Sequence, residues 1–322
     1  MTRVALVAIV AAAAAAAVAV SAPLVAQQRF QSRTELVFVP VAVSQNRRPT
    51  SGLSAADFTL TDNGVRQDIE AVSVEALPID VTLLLDASNS VRGAMLARLK
   101  TAVTDTAALL TPQDRLRLIS VQHIIREVFP WQPGGVHPPL DGLVAGGATS
   151  LFDGLSAAMI RSASPDRRHL IVVFTDGLDT TSVVTPAATQ QVAGATDAVV
   201  HAVVIIENLA ALKSTSRTGP VLSTVRGGSG LSTGLSEADT QELPSVRPVR
   251  DAVVIPTGGQ VFPIDADASL GDAFIAAIRA FRTSYVLRYS PSGVDKPGWH
   301  NISVSINRSG RYDIRARKGY GG

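Results

Sequence analysis

The spacing of hydrophobic residues along this chain changes several times, and each change marks an element. Val37, Val39, Val41 and Val43 alternate with Phe38 and Ala42, a period of two that predicts a strand. Pro40 within that run limits it to an edge or a bulge. Ser54-Ala-Ala-Asp57 predicts a short helical cap. Two β-prone runs, Phe58–Thr61 and Val65–Ile69, flank Asp62-Asn63-Gly64, and Asn-Gly between such runs predicts a hairpin. Residues 27–77 therefore read as a small β module.

After Pro78 the pattern lengthens. Ile79–Leu85 is a buried-strand run, followed by Met95, Leu96, Leu99, Val103 and Leu110 at helical spacing. Further strands are predicted at Leu116–Val121, His169–Phe174 and Val199–Ile206, and helices at Leu151–Ile160 and Pro186–Gly194. Long apolar strands alternating with helices predict a parallel sheet covered on both faces. The expected fold class is α/β, a doubly wound and mostly parallel, Rossmann-like sheet over residues 78–282.

Residues 207–250 interrupt this rhythm with a Ser-, Thr- and Gly-rich stretch that includes Arg226-Gly-Gly-Ser-Gly230. Such a composition buries too little apolar surface to offset ordering entropy, so a mobile insertion is expected. Its glycines lack the Lys-Ser/Thr of a phosphate loop. Alternation resumes at Asp251–Phe262, and a helix is predicted near Leu270–Phe281. Residues 283–322 read as a C-terminal β extension, a strand at Ser284–Tyr289 and a hairpin formed by Asn301–Ile306 and Arg311–Arg317.

The N-terminus has a different character. Val4–Val20 is unbroken Ala, Val, Leu and Ile, preceded by Arg3 and followed by Ser21, Pro23 and the Ala26–Gln27 junction. A positive start, an apolar run and a small residue at its end read as a secretory signal over residues 1–26. Cleavage after Ala22 would leave Pro23 next to the scissile bond, which favours Ala26. The expected location is outside the cytoplasm, periplasmic or extracellular, with no stable membrane span after processing. An uncleaved anchor is the competing reading.

Composition narrows the function classes. The 322 residues carry 29 Lys+Arg against 27 Asp+Glu, a net charge of +2 that gives no polyanion-binding field, so nucleic acid is not an expected partner. The absence of cysteine removes disulfides, thiolate metal sites and cysteine nucleophiles. The histidines, His123, His137, His169, His201 and His300, have no ligand spacing and read as structural. The basic residues Arg308, Arg311, Arg315, Arg317 and Lys318 read as a solvated strand face, with an acidic partner as the alternative.

Three stretches carry candidate chemistry. Asp86-Ala-Ser88-Asn-Ser90 follows one apolar strand, Gly146-Gly147-Ala-Thr149 lies in a loop before a helix, and Thr175-Asp176-Gly177 ends another strand. Ligands of open α/β sheets collect outside the carboxyl ends of strands. The Asp-x-Ser-x-Ser alternation turns three oxygen-bearing side chains the same way. Carboxylates and hydroxyls are hard oxygen donors of the kind Mg²⁺ or Mn²⁺ takes. Two carboxylates would neutralise such an ion, and hydroxyls would add donors without charge, leaving it open to a further anionic ligand.

These three motifs in this order resemble the metal-ion-dependent adhesion site of von Willebrand factor type A (VWA) domains. The resemblance implies a metal held directly by Ser88, Ser90 and Thr149, with Asp86 and Asp176 acting partly through water. The loop reads Gly-Gly-Ala-Thr where the family commonly has Gly-Gly-Thr, which leaves Thr149 and Ser150 as competing donors; Thr149 is taken. The Gly52–Asp57, Asp62–Gly64, Tyr285–Ser290 and Arg315–Tyr320 stretches also resemble bacterial exported proteins with a VWA-related domain. The implied function is a protein-binding module, without catalysis, that captures an Asp or Glu carboxylate of a protein partner through the ion. Two alternatives stand beside it. One is a metal-dependent phosphohydrolase using Asp86 as nucleophile, against which Ser88 stands where a second Asp is usual. The other is a structural envelope component with a vestigial site. Asp153 and Asp179 read as capping or supporting groups.

Overall fold

A computed structural model describes residues 36–46, 48–73, 77–160, 167–206, 243, 246–265, 268–295 and 297–321. The leader read at residues 1–26 and most of the insertion read at 207–250 lie outside these residues. In chain order the first strands are β1 (Val37–Gln45), β2 (Arg48–Pro49), β3 (Phe58–Asp62), β4 (Val65–Gln67) and β5 (Ala71–Ser73). Then come β6 (Ile79–Asp86), α1 (Ala94–Leu109), β7 (Arg115–Val121), β8 (Ile125–Pro133), α2 (Leu151–Ile160), β9 (Arg168–Thr175), α3 (Pro186–Ala195) and β10 (Val199–Ile205). Arg247–Val249, a π segment Arg250–Val254 and Ile255–Thr257 run on as one helical stretch, α4. The chain closes with β11 (Val261–Ile264), α5 (Leu270–Arg282), β12 (Tyr285–Tyr289), β13 (Trp299–Ile306), β14 (Asp313–Ala316) and β15 (Gly319–Gly321).

The central sheet has the order β11-β10-β9-β6-β7-β8, parallel throughout except for β8, which runs antiparallel to β7. This is the mostly parallel α/β sheet that the sequence predicts, with β8 as an unforeseen addition. Strand β8 was hidden because its burial pattern is mostly exposed, so it lacks an apolar run. Every residue of β6 is buried. Ile79, Val81, Leu83 and Leu85 pack towards α1 and α5, whereas Leu84 joins the core under α2, α3 and α4. Each fully buried Leu contributes about 1.5–3 kcal/mol. Asp80 and Thr82 are held by Arg115, Arg167, Arg117 and His169.

The helices start where local chemistry allows. Thr185 Oγ1 accepts from the Ala188 N–H at 3.2 Å and Pro186 occupies the first turn of α3. Ser269 caps α5 in the same way through Asp272 N–H, and Arg279 and Arg282 lie in its last turn, where cations are favoured. At the end of α4, Gly258 adopts φ +76°, and a Cβ there would lie 2.6 Å from the Arg317 backbone nitrogen. Only glycine suits that junction.

The remaining strands correct the picture of two peripheral pieces. Strand β1, from the N-terminal module, pairs antiparallel with β12 and β14 of the C-terminal extension. Strand β3 pairs with β13, giving a second sheet of order β15-β13-β3-β4. Val39, Val41, Leu60, Tyr285, Leu287 and Ile302 share one core between these sheets. Described residues from 36–73 and 285–321 therefore build one β-sandwich, in the same compact unit as the central sheet. The expected C-terminal hairpin is absent: β13 and β14 join different sheets, because both carry apolar residues into the core that separates them. Pro40 fits inside β1 because pairing with β14 begins only at Val41. The Asn63-Gly64 hairpin forms as predicted, with φ of 46° and 80°.

Two other expectations change. Leu243, Val246 and Val249, within the span read as an insertion, are buried in the core, so packed chain resumes before residue 250. Arg317 is buried rather than solvated, and its Nη2 donates to the carbonyls of Gly194 (3.1 Å) and Thr196 (3.3 Å) at the end of α3. Among the described residues no helix is long and apolar enough to cross a membrane.

Candidate functional site

Strand order reverses between β6 and β9: the chain leaves β6 for β7 and β8 on one side, then returns to β9, β10 and β11 on the other. Open α/β sheets bind ligands outside the carboxyl ends of the strands at such a reversal. Leu85 lies opposite Phe174, so Asp86 and Thr175–Asp176 emerge side by side. The loop before α2 closes the third side. Gly146 N–H donates to the Ala87 carbonyl (2.8 Å), Asn89 N–H to the Gly147 carbonyl (3.1 Å), and Gly147 N–H to Asn89 Oδ1 (3.2 Å). Gly147 has φ +79°, and a Cβ there would meet His123 Nδ1 at 2.3 Å. From the far side, Thr180 and Thr181 N–H donate to the Thr149 carbonyl at 2.9 and 3.0 Å.

Within this frame Asp86 is fully buried. Its Oδ1 accepts from Ser88 N–H at 3.0 Å and lies 3.5 Å from Thr149 Oγ1; its Oδ2 lies 3.4 Å from Thr175 Oγ1. Ser88 Oγ and Ser90 Oγ are 3.0 Å apart. Asp176 is half-buried, with Oδ1 accepting from Leu178 N–H at 3.0 Å. Ser150 Oγ instead pairs with Thr181 Oγ1 at 2.9 Å, away from Asp86. Burial pushes the Asp86 carboxyl up to about 6; bonds from Ser88 oppose this and the nearby Asp176 charge adds to it.

Asp153 and Asp179 support the loops. Asp179 Oδ1 accepts from Leu151 N–H (2.7 Å) at the start of α2, and Asp153 accepts from Val183 and Val184 N–H (3.1 and 2.7 Å). The sequence reading missed Thr175 and Asn89, although both stand inside the quoted motifs. Their roles depend on contacts with other loops, which motif spacing does not encode.

The donor set fits a hard divalent cation. Burial and the neighbouring Asp176 carboxylate both disfavour the charged form of Asp86, which among the described residues is in no ion pair, and the hydroxyls of Ser88, Ser90 and Thr149 add neutral oxygen donors. Among the described residues no three or more His, Cys, Asp or Glu gather as a metal cluster, so an ion here would depend on hydroxyls as well as on the two carboxylates.

Comparison with known proteins adds the family. Residues 80–219 match the sequence model of the von Willebrand factor type A domain. No curated protein matches. Among solved structures, a von Willebrand factor type A protein from Catenulispora acidiphila is 12% identical, with 91% of this chain and 75% of that one covered at a TM-score of 0.43. BatB, a conserved hypothetical protein from Bacteroides thetaiotaomicron, is 15% identical over 63% of this chain and 98% of its own, at 0.40. Proximal thread matrix protein 1 from the mussel byssus, with a zinc-occupied MIDAS motif, is 13% identical over 63% of this chain, at 0.40; the match spans 48% of that protein. The family match and the mostly parallel sheet lead to one assignment: this chain carries a von Willebrand factor type A domain.

Proposed function

We propose that this protein is an exported binding module that captures a carboxylate of a protein partner through a divalent ion, Mg²⁺ or Mn²⁺, held by Asp86, Ser88, Ser90, Thr149 and Asp176. The observation that carries this reading is the approach of Thr149 Oγ1 to within 3.5 Å of Asp86 Oδ1 across 63 residues of chain, beside the Ser88–Ser90 hydroxyl pair. Five oxygens leave roughly one octahedral position free, and the near-neutral total charge favours an anionic donor there. The ion serves recognition, and the loops around it read the partner's surface. Export is supported by the leader pattern at residues 1–26.

The test is calorimetric titration of the full chain with Mg²⁺ and Mn²⁺, then partner capture from an envelope fraction with and without chelator. Metal binding should disappear in Asp86→Ala and Asp176→Ala, and capture should disappear with chelator. Equal metal binding in wild type and both variants would remove the site. Ester hydrolysis that needs metal and is lost in Asp86→Asn would replace this reading with the phosphohydrolase.

A further inference from the structure

At the opposite edge of the central sheet, where the parallel strands begin, lies a cavity of about 390 Å³ between the α/β domain and the β-sandwich. That volume falls within the range of about 300–1,000 Å³ usual for small-molecule sites. Its walls are mainly apolar: Phe38 and Val286 come from the sandwich, Leu77 from the entry to β6, Met159 and Ile160 from α2, and Val192 from α3. Arg168, the first residue of β9, also lines it.

Arg168 is 8% exposed. Its Nη2 donates to the Phe281 carbonyl at 2.9 Å and to Ser284 Oγ at 2.6 Å, and its guanidinium carbon sits 4.2 Å from the Phe281 ring centroid. Its Nη1 is buried without a hydrogen-bond partner, and among the described residues no carboxylate pairs with it. Burial and the nearby Arg282 charge lower this guanidinium to about 10. A buried cation without a counter-charge is costly, so the arrangement favours an anion.

The other charged groups at the cavity are already satisfied. Arg167 is paired with Asp80 at 2.5 Å. His169 shares a hydrogen bond with Thr82 at 2.9 Å, and burial pushes it down to about 4, so it is neutral at pH 7. Asp197 is fully exposed, and water screens its charge. Among the described residues, Arg168 is therefore the guanidinium at the cavity that has no carboxylate partner.

We propose that this cavity binds a monoanionic amphiphile of the medium-chain carboxylate class, with its carboxylate on Arg168 and its chain along the Phe38–Met159–Val192 wall. One such guanidinium matches one carboxylate, and planar Arg–carboxylate pairing suits the two groups. The apolar walls supply the burial that a free inorganic anion would leave unused. Because the cavity is walled by both the sheet edge and the sandwich, an occupant would also bind the two layers together.

The test is titration of the full chain with decanoate, below its micelle concentration, alongside decanol and acetate. Decanoate should bind at 1:1 stoichiometry, with decanol and acetate each at least tenfold weaker. Arg168→Gln should weaken decanoate at least tenfold. Ala195 is exposed and lines the cavity, so Ala195→Trp should block decanoate without moving the thermal unfolding midpoint, which keeps the test valid if Arg168→Gln fails to fold. Decanol binding as tightly as decanoate, unchanged affinity in Ala195→Trp, or no saturable decanoate binding to folded wild type would overturn the proposal.

Discussion

The two edges of the central sheet share the same strands and differ in almost everything else. At the carboxyl edge Asp86 is buried and, among the described residues, in no ion pair; Ser and Thr hydroxyls surround it, with loops that bond to one another through backbone groups. At the amino edge, Asp80 is equally buried but sits between Arg115 and Arg167, and Asp114 accepts from Thr111, Ile79 and Arg282. The carboxylates consequently move in opposite directions. Burial acts on all three, but at Asp80 the arginines, and at Asp114 the threonine, backbone and arginine bonds, overcome it and hold the groups below the usual range. At Asp86 burial wins. A carboxylate with its counter-charge built in is a structural element, and one without it is open to a ligand.

The amino edge should be the more sensitive in stability. Asp80→Asn leaves two arginines without their shared anion and should cost about 3 kcal/mol, read by chemical denaturation at pH 7. A loss below about 1 kcal/mol would mean that the partly exposed Arg115 is satisfied by water instead.

Acid should separate the edges next. Asp80 and Asp114 have folded-state values below their unfolded ones, so their contribution is complete above about pH 3.9 and is lost as pH falls through the folded-state values. Asp114→Asn should flatten that acid limb of the stability profile. An unchanged limb would assign acid unfolding elsewhere.

At the carboxyl edge the effects should fall on binding. Thr149→Ala should weaken metal at least tenfold, about 1.4 kcal/mol, while unfolding free energy moves by less than that. Equal losses in both would make Thr149 a structural residue like Asp114. The smallest effect is expected at Asp179→Ala, which removes the acceptor for Leu151 N–H at the start of α2 and should cost about 1 kcal/mol of stability, with metal affinity changed less than in Thr149→Ala.

Within the sequence, element type was legible wherever one period ran undisturbed. The apolar strands of the central sheet, their alternation with helices and the Asn63-Gly64 turn follow from local pattern, because burial on both faces and left-handed backbone leave marks on neighbouring residues. The three oxygen-rich motifs were legible for the same reason, since each is short and contiguous. What no local pattern carries is which strand pairs with which. The union of β1 with β12 and β14 joins segments more than 240 residues apart, and the separation of β13 from β14 contradicts their proximity in sequence. Only tertiary structure decides that Arg168 is buried beside a cavity, whereas Arg167, its neighbour in sequence, meets Asp80. The physical reason is that pairing and desolvation depend on groups brought together by the whole fold, while periodicity records only the face on which each residue lies.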